Sequence, residues 1–176
     1  RSMARIKSMR TLISDLLDLT GLKSGKKKRK IEKIDLPSRV HTAVQSVEPL
    51  AEKMSVAVHI DLPDELIIES DINEIDIILN NLLSNAIKYN KENGQVYVSV
   101  KKENNQAVIR VEDTGIGMTK DETDRLFKDF TRIKNEQTKH ISGTGLGLSI
   151  LKRTEVESIP GKGSVFTVYL PLKQKQ

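Results

Sequence analysis

The sequence predicts an α+β domain in which helices accompany short strands that pair as hairpins. Apolar residues recur with helical spacing over 37–54 and 72–89. Alternating apolar segments flank turn residues at Asn104 and again at Pro160-Gly161, as they do in β-hairpins. Since the chain has 176 residues, it has room for one packed core and a short appendage.

Composition is that of a soluble globular protein, with 37% hydrophobic and 30% charged residues. No apolar run is long enough to cross a bilayer, and no signal peptide is visible. The absence of cysteine excludes disulfides and thiolate metal sites, which suits a reducing cytoplasm. With three scattered histidines, any metal must be held by oxygen ligands, which favours Mg²⁺ over Zn²⁺.

The first residues predict an amphipathic helix over Met3–Thr20, followed by Gly21 and Gly25 as helix-ending signals. Its apolar stripe needs a partner helix, so we expect residues 1–24 to be a fragment of a neighbouring helical domain. The alternative is an arm that packs on its own domain. The basic run Lys26–Lys30 concentrates the net charge of +5 and is interpreted as a solvated linker, because no aromatic residues interleave with it to bind nucleic acid.

The domain proper is expected to begin with a helix, since Pro37 suits a first helical turn. Asp71 is placed to cap a second long helix. Asn93-Gly94 ends that helix with a strong turn signal. The other expected elements are strands at Val56–Ile60, Leu66–Ile68, Gln95–Val100, Ala107–Val111, Val156–Ile159 and Val165–Leu170, a helix at Lys120–Phe130, and a mobile polar segment at Lys134–Ser142.

Three polar residues share one face of the second long helix. At about 100° per residue, Asn81, Asn85 and Lys88 fall within roughly 60° of one another. Asparagine is a poor helix-interior residue, so its presence here indicates either a solvated face or a function. Amide oxygens suit Mg²⁺, and a lysine one turn on can reach a phosphate.

Two glycine-containing motifs are candidates for binding the rest of a nucleotide. Asp113 follows a strand and can accept a hydrogen bond from an exocyclic amine, while the glycines of Asp113–Gly117 let an aromatic ring approach the backbone. Residues Gly143–Gly147 precede an apolar run and can present backbone N–H groups to phosphate at a helix start. Taken singly, each motif is also compatible with an ordinary turn.

Four motifs in order resemble the N, G1, F and G2 boxes of sensor histidine kinases, members of the GHKL superfamily. They are Asn81–Tyr89, Asp113–Gly117, Phe127–Phe130 and Gly143–Gly147. Ser8–Gly25 also resembles the second helix of the family's dimerisation hairpin. The resemblance implies the Bergerat ATP-binding fold, a two-layer α/β sandwich with a mixed sheet, helices on one face, and the nucleotide between the N-box helix and a mobile lid.

The resemblance also implies roles for individual residues. Asn85 would bind Mg²⁺, and Asn81, Lys88 and Arg132 would be catalytic, the first two near the phosphates and Arg132 near the γ-phosphate. Asp113 would accept from the adenine amine of ATP. The other residues implied to contact the nucleotide are Tyr89, Gly115, Ile116, Gly117, Gly143, Thr144, Gly145, Leu146, Gly147 and Thr167.

From the resemblance we expect a dimerisation-hairpin remnant (1–24), a basic linker (25–34), a catalytic ATP-binding domain (35–173) and a tail (174–176). The implied partners are the parent kinase's phosphoacceptor hairpin, in a homodimer, and a response regulator. We expect no contact with nucleic acid or membrane, and we expect a cytoplasmic location, which would also hold if the parent is a membrane-anchored sensor.

Two departures from the family pattern affect these expectations. No histidine has the family's phosphoacceptor context, because His41 precedes Thr42, His59 lies in a strand and His140 in the lid. We therefore expect a phosphoryl-donor module without its own acceptor. The stretch around Thr154 and Glu155 is also shorter than in the family. We interpret it as a junction across missing residues, since a true deletion would expose the core.

Two other functions are compatible with the fold. ATPases of the gyrase, mismatch-repair and chaperone kind carry a glutamate at the position of Asn81 as general base for water, and an amide cannot take a proton in that role. We therefore expect phosphoryl transfer with poor hydrolysis. A degenerate adaptor that no longer binds nucleotide is disfavoured by Asn85, Asp113 and the intact glycines.

Overall fold

A computed structural model of the protein describes residues 29–126 and 154–173. These residues form three helices and seven strands, which match most of the expected elements to within a few residues. In chain order they are β1 (Ile31–Asp35), α1 (Leu36–Lys53), β2 (Ala57–Asp61), β3 (Ile67–Asp71), α2 (Ile72–Lys88), β4 (Gln95–Glu103), β5 (Gln106–Asp113), α3 (Lys120–Arg125), β6 (Thr154–Ile159) and β7 (Gly163–Pro171).

Five of the strands form one mixed sheet in the order β2-β4-β5-β7-β6. β2 runs parallel to β4, and the other neighbouring pairs are antiparallel. The two long helices cover one face of this sheet. The expected α+β class, with a mixed sheet and helices on one face, is therefore confirmed.

The core lies between the sheet and the two long helices. Alternate residues of β4 (Val96, Val98 and Val100) point into it, as do Ile109 and Val111 of β5. The facing helix surfaces supply the other buried residues, chiefly Val40, Val47, Leu79, Leu82, Leu83 and Ile87. Each such aliphatic side chain contributes about 1.5–3 kcal/mol when fully buried, so aliphatic packing holds the layers together.

α2 is fixed at its N-terminus by polar contacts. Asp71 caps the helix by accepting from the Asn73 N–H at 2.9 Å, and its other oxygen accepts from the Lys30 N–H at 2.8 Å. Burial opposes ionisation of Asp71, but hydrogen bonds from Lys30, Asn73 and Glu74 hold its pKa below the usual value. A second contact, from Arg39 Nε to Asp76 Oδ1 at 3.0 Å, ties α2 to α1.

The described structure differs from expectation at the start of the domain. β1 falls largely within the range assigned to the linker, where it pairs antiparallel with β3. Periodicity missed this strand because only Ile34 is buried, at 4% exposure, while charged residues fill the positions around it. Within residues 29–126, regular structure therefore begins at Ile31, ahead of the expected boundary.

Several expected elements lie outside the described residues. These are the N-terminal helix, the end of the helix expected to reach Phe130, and the polar segment 134–142. Within residues 29–126 and 154–173, no helix combines the length and apolar character needed to cross a bilayer.

Candidate nucleotide-binding site

The second half of α2 presents a polar face beside its buried apolar face. Asn81, Asn85 and Lys88 are all half-buried there, whereas the intervening Leu82, Leu83, Ala86 and Ile87 are buried. No other described residue forms a hydrogen bond or ion pair with these three side chains. Two amide groups and one ammonium group are thus free of partners within the described part of the chain.

Asp113 ends β5 as a buried carboxyl group, at 6% exposure. Its Oδ1 accepts from the Gly115 N–H at 2.8 Å, and the Ser164 N–H also donates to the carboxyl group. Burial raises the pKa of Asp113 to about 6, against the opposing effect of these hydrogen bonds. A carboxylate has about four lone-pair sites, so this group retains capacity to accept from a ligand amine.

The loop after Asp113 packs on the end of α2. The Ile116 N–H donates to the Tyr89 carbonyl at 3.1 Å, which places half-buried Tyr89 against this loop. A Cβ on Gly115 would lie 2.2 Å from the same carbonyl oxygen. Gly117 has φ +64°, and a Cβ there would lie 2.0 Å from the Ile159 carbonyl oxygen. The structure therefore explains both glycines by close backbone packing, whereas we expected them to admit an aromatic ring.

Thr167 does not share a sheet face with Asp113, contrary to the role implied for it. In the β7 register it pairs with Arg110 on one side and Glu155 on the other, and both of these are exposed. Its neighbours Phe166 and Val168 point into the core. Thr167 therefore lies on the sheet face opposite the helices. Apolar residues occupy both odd and even positions of this strand, so alternation alone did not show which side chains face the core.

Ser164, and not Thr167, is the β7 residue that lies beside Asp113. It is buried, pairs with Asp113 across β5 and β7, and its N–H donates to that carboxyl group. Its hydroxyl contacts Ser158 Oγ at 2.8 Å, and Ser158 accepts from the Met118 N–H at 2.8 Å. A small polar residue directly after the Gly161–Gly163 turn is the sequence signal that would have indicated it.

The remaining expected site residues lie outside the described residues. They are Arg132, Gly143, Thr144, Gly145, Leu146 and Gly147. What the structure brings together is the end of α2 and the Asp113 loop. In the described ranges, no group of three or more His, Cys, Asp and Glu residues is arranged to hold a metal ion.

The two described histidines lack the setting of a phosphoacceptor. His41 is exposed on α1. His59 is exposed on β2, where it contacts Gln95 Oε1 at 2.6 Å and stacks on Tyr97 with the ring centroids 4.9 Å apart. Neither follows the pattern of a histidine beside an acidic residue on a dimerisation helix.

Comparison with known proteins gives one family match, over residues 70–174, to the histidine kinase-, DNA gyrase B- and HSP90-like ATPases. Among similar proteins, the non-motile and phage-resistance protein of Caulobacter vibrioides is 35% identical over 92% of this chain. Sensor histidine kinase WalK of Bacillus subtilis is 34% identical over 94%. The chain spans only 21% and 29% of the lengths of these two relatives, respectively.

Solved structures share the fold at lower sequence identity. The Acinetobacter baumannii histidine kinase AdeS aligns with a TM-score of 0.78 at 22% identity, covering 97% of this chain and 81% of that one. Full-length ShkA in complex with AMPPNP aligns with a TM-score of 0.80 at 22% identity, covering 94% of this chain and 36% of that one. At these identities the likeness establishes the fold.

Proposed function

Because the chain belongs to the histidine kinase-, DNA gyrase B- and HSP90-like ATPases, we propose that it is the ATP-binding, phosphoryl-donor domain of a sensor histidine kinase. It would transfer the γ-phosphate of ATP to a histidine on the dimerisation hairpin of the parent kinase. That phosphohistidine would then pass the phosphoryl group to a response regulator. The observation that carries this proposal is the buried Asp113 carboxyl group, whose loop packs on the end of α2 just after the polar face of that helix.

The Asp113 carboxylate indicates that the nucleobase of the bound nucleotide is adenine. A buried acceptor pairs with the exocyclic amine of adenine, whereas guanine presents a carbonyl oxygen at the same position. Acceptor against acceptor in a buried site leaves both groups unsatisfied, which costs about 1–3 kcal/mol. A preference of about tenfold or more for ATP over GTP follows. Equal affinity for the two nucleotides would refute the role of Asp113.

The polar face of α2 carries side chains that suit binding of the ATP phosphates. The Asn85 amide oxygen is a neutral hard ligand and, with phosphate oxygens, fits Mg²⁺, which would supply neutralisation of phosphate charge. Lys88 lies one helical turn from Asn85 and two from Asn81, and it would place a positive charge near the same phosphates. The glycine segment 143–147 and Arg132 would complete this end.

The amide of Asn81 favours phosphoryl transfer to an acceptor residue over hydrolysis of ATP. An amide cannot deprotonate water, so Asn81 would orient groups near the phosphates without acting as a base. Catalysis would then depend on positioning the acceptor and stabilising charge on the transferred group, which is the protein's usual share in phosphoryl transfer.

Labelling with radioactive ATP tests the division into donor and acceptor. The chain alone is expected to bind ATP without forming acid-labile, base-stable phosphohistidine. Adding the dimerisation hairpin of the same parent protein should give phosphohistidine on the hairpin alone. The matched control is a mixture of the hairpin with the Asp113→Asn variant of this chain, in which the hairpin should remain unlabelled. Self-labelling at His41, His59 or His140 would contradict the proposal.

A further inference from the structure

Asn90 follows the C-terminal cap residue of α2, Tyr89, and uses its whole side-chain amide in hydrogen bonds. The side chain is buried, at 8% exposure. Its Nδ2 donates to the Ala86 carbonyl at 3.1 Å and to the Gln95 carbonyl at 3.0 Å. Its Oδ1 accepts from the Lys91 N–H at 3.0 Å and from the Thr114 hydroxyl at 3.3 Å. Two donors and two acceptor sites are therefore satisfied by four different residues.

Thr114 connects this amide to the Asp113 loop. Its N–H donates to the Gln95 carbonyl at 3.1 Å, and its Oγ1 accepts from the Gln95 N–H at 2.9 Å. Asn90, Gln95 and Thr114 thus form one hydrogen-bonded cluster, here called the Asn90 clamp. The clamp joins the last turn of α2, the first residue of β4 and the residue next to Asp113.

The clamp connects the two segments that carry the proposed nucleotide site. Lys88 and Tyr89 belong to one segment and Asp113 to the other, and the Tyr89–Ile116 hydrogen bond of 3.1 Å is the only other backbone link between these segments within the described residues. The ribose joins the base of a nucleotide to its phosphates, so the distance that the nucleotide can span is limited. The relation of Asp113 to α2 therefore decides whether both ends can be bound at once.

We propose that Asn90 is a positioning residue for nucleotide recognition: acting through Thr114, it fixes Asp113 relative to α2 and so sets the selectivity for adenine. The proposal rests on the proposed function and adds a residue that touches no part of the nucleotide. Its effect is transmitted through Gln95 and the Thr114 hydroxyl to the loop after Asp113. The same loop is held to the end of α2 by the Ile116 N–H, which donates to the Tyr89 carbonyl.

The test compares ATP and GTP dissociation constants, measured well below the melting temperature of every variant. In Asn90→Ala the loop loses its anchor, so the ATP preference is expected to fall by about tenfold, toward equal affinity. Val168→Ala is the control, since Val168 is a core residue of β7 away from the clamp. It should lower the melting temperature and leave the ATP-to-GTP ratio unchanged.

Thr114 provides a second pair of variants in case Asn90→Ala does not fold. Thr114→Val removes the hydroxyl that bonds Asn90 and should reduce the ratio, while Thr114→Ser keeps the hydroxyl and should retain it. The proposal is overturned if Asn90→Ala or Thr114→Val keeps the ratio of the unmutated chain. If the unmutated chain itself shows no ATP preference, the proposed function fails as well, which distinguishes the two outcomes.

Discussion

The Asp113 carboxyl group is buried at a cost to folding stability at neutral pH. Burial raises its pKa to about 6, above the value of 3.8 for a free side chain. A carboxyl group with a raised pKa contributes stability below pH 3.8, and that contribution is lost as the pH rises through about 6. At neutral pH the folded chain therefore contains an ionised buried carboxylate. A hydrogen bond from the ligand amine would offset part of the free-energy cost of burying that charge.

The Asp113→Asn variant is expected to be more stable than the unmutated chain at pH 8, by up to about 3 kcal/mol. The amide keeps an oxygen for the Gly115 N–H and carries no charge, so the advantage should disappear near pH 3.5. Urea unfolding at the two pH values measures it. The same variant should lose ATP affinity, because its NH₂ group would face the adenine amine. Equal stability of variant and unmutated chain at pH 8 would contradict the burial argument.

Asn85 is expected to matter for Mg²⁺ and little for folding, because its side chain is half-buried and has no partner among the described residues. Asn85→Ala should remove most of the Mg²⁺-dependent part of ATP affinity and leave the unfolding midpoint nearly unchanged. Isothermal titration with and without Mg²⁺ measures this. Asn80→Ala, an exposed neighbour on the same helix, is the control and should bind as the unmutated chain does. The assignment fails if the unmutated chain binds ATP equally with and without Mg²⁺.

The two ends of α2 differ in role: the N-terminal end anchors the helix to the rest of the fold, and the C-terminal end carries part of the proposed site. Asp71 and Arg39 fix its N-terminus, and its last two turns carry the polar face and the Asn90 clamp. Its period and its cap could be read from the sequence, because apolar spacing and an Asx cap are local signals. The Asn90 clamp could not, since its partners Gln95 and Thr114 come together only through the β4–β5 pairing.

Removing the cap should destabilise α2 in a pH-dependent way. Asp71→Ala leaves the Lys30 and Asn73 N–H groups without their acceptor, which should cost about 1–3 kcal/mol at pH 7. The pKa of Asp71 is lowered, so its contribution is present above pH 3.8 and is lost as the pH falls through the lower folded value. Denaturant unfolding should therefore show a larger cost of the substitution at pH 7 than at pH 2.5. Asp64→Ala, at an exposed loop position, is the control and should have little effect at either pH.

Strand faces and strand edges were the weakest part of the sequence interpretation. β1 has one buried residue and was taken for linker, and β7 has apolar residues on both faces, so Thr167 was chosen where Ser164 lies beside Asp113. The causes differ. β1 lacks an apolar alternation that would indicate a strand, and its strand conformation depends on pairing with β3. In β7 alternation indicates a strand but does not say which face is covered, since that depends on the register with β5.

At the scale of the whole molecule, the proposed site lies where the two layers meet. The helix layer contributes the end of α2, and the sheet contributes Asp113 and Ser164. The β6–β7 turn packs on the Asp113 loop, where the Gly161 N–H donates to the Ile116 carbonyl at 2.7 Å. A ligand that bridges these parts stabilises their joint arrangement. Nucleotide binding should therefore be detectable as a gain in global stability.

ATP with Mg²⁺ is expected to raise the melting temperature of the chain. A ligand that binds only the folded state at one hundred times its dissociation constant adds about 2.7 kcal/mol, which for a domain of this size corresponds to roughly 5–10 °C. GTP at the same concentration should give a smaller shift, and Asp113→Asn should give almost none with ATP even though its own melting temperature is higher. That combination separates binding from stability, because the more stable variant is the one that responds less. Absence of any nucleotide-dependent shift in the unmutated chain would instead favour an adaptor that keeps the fold without binding nucleotide.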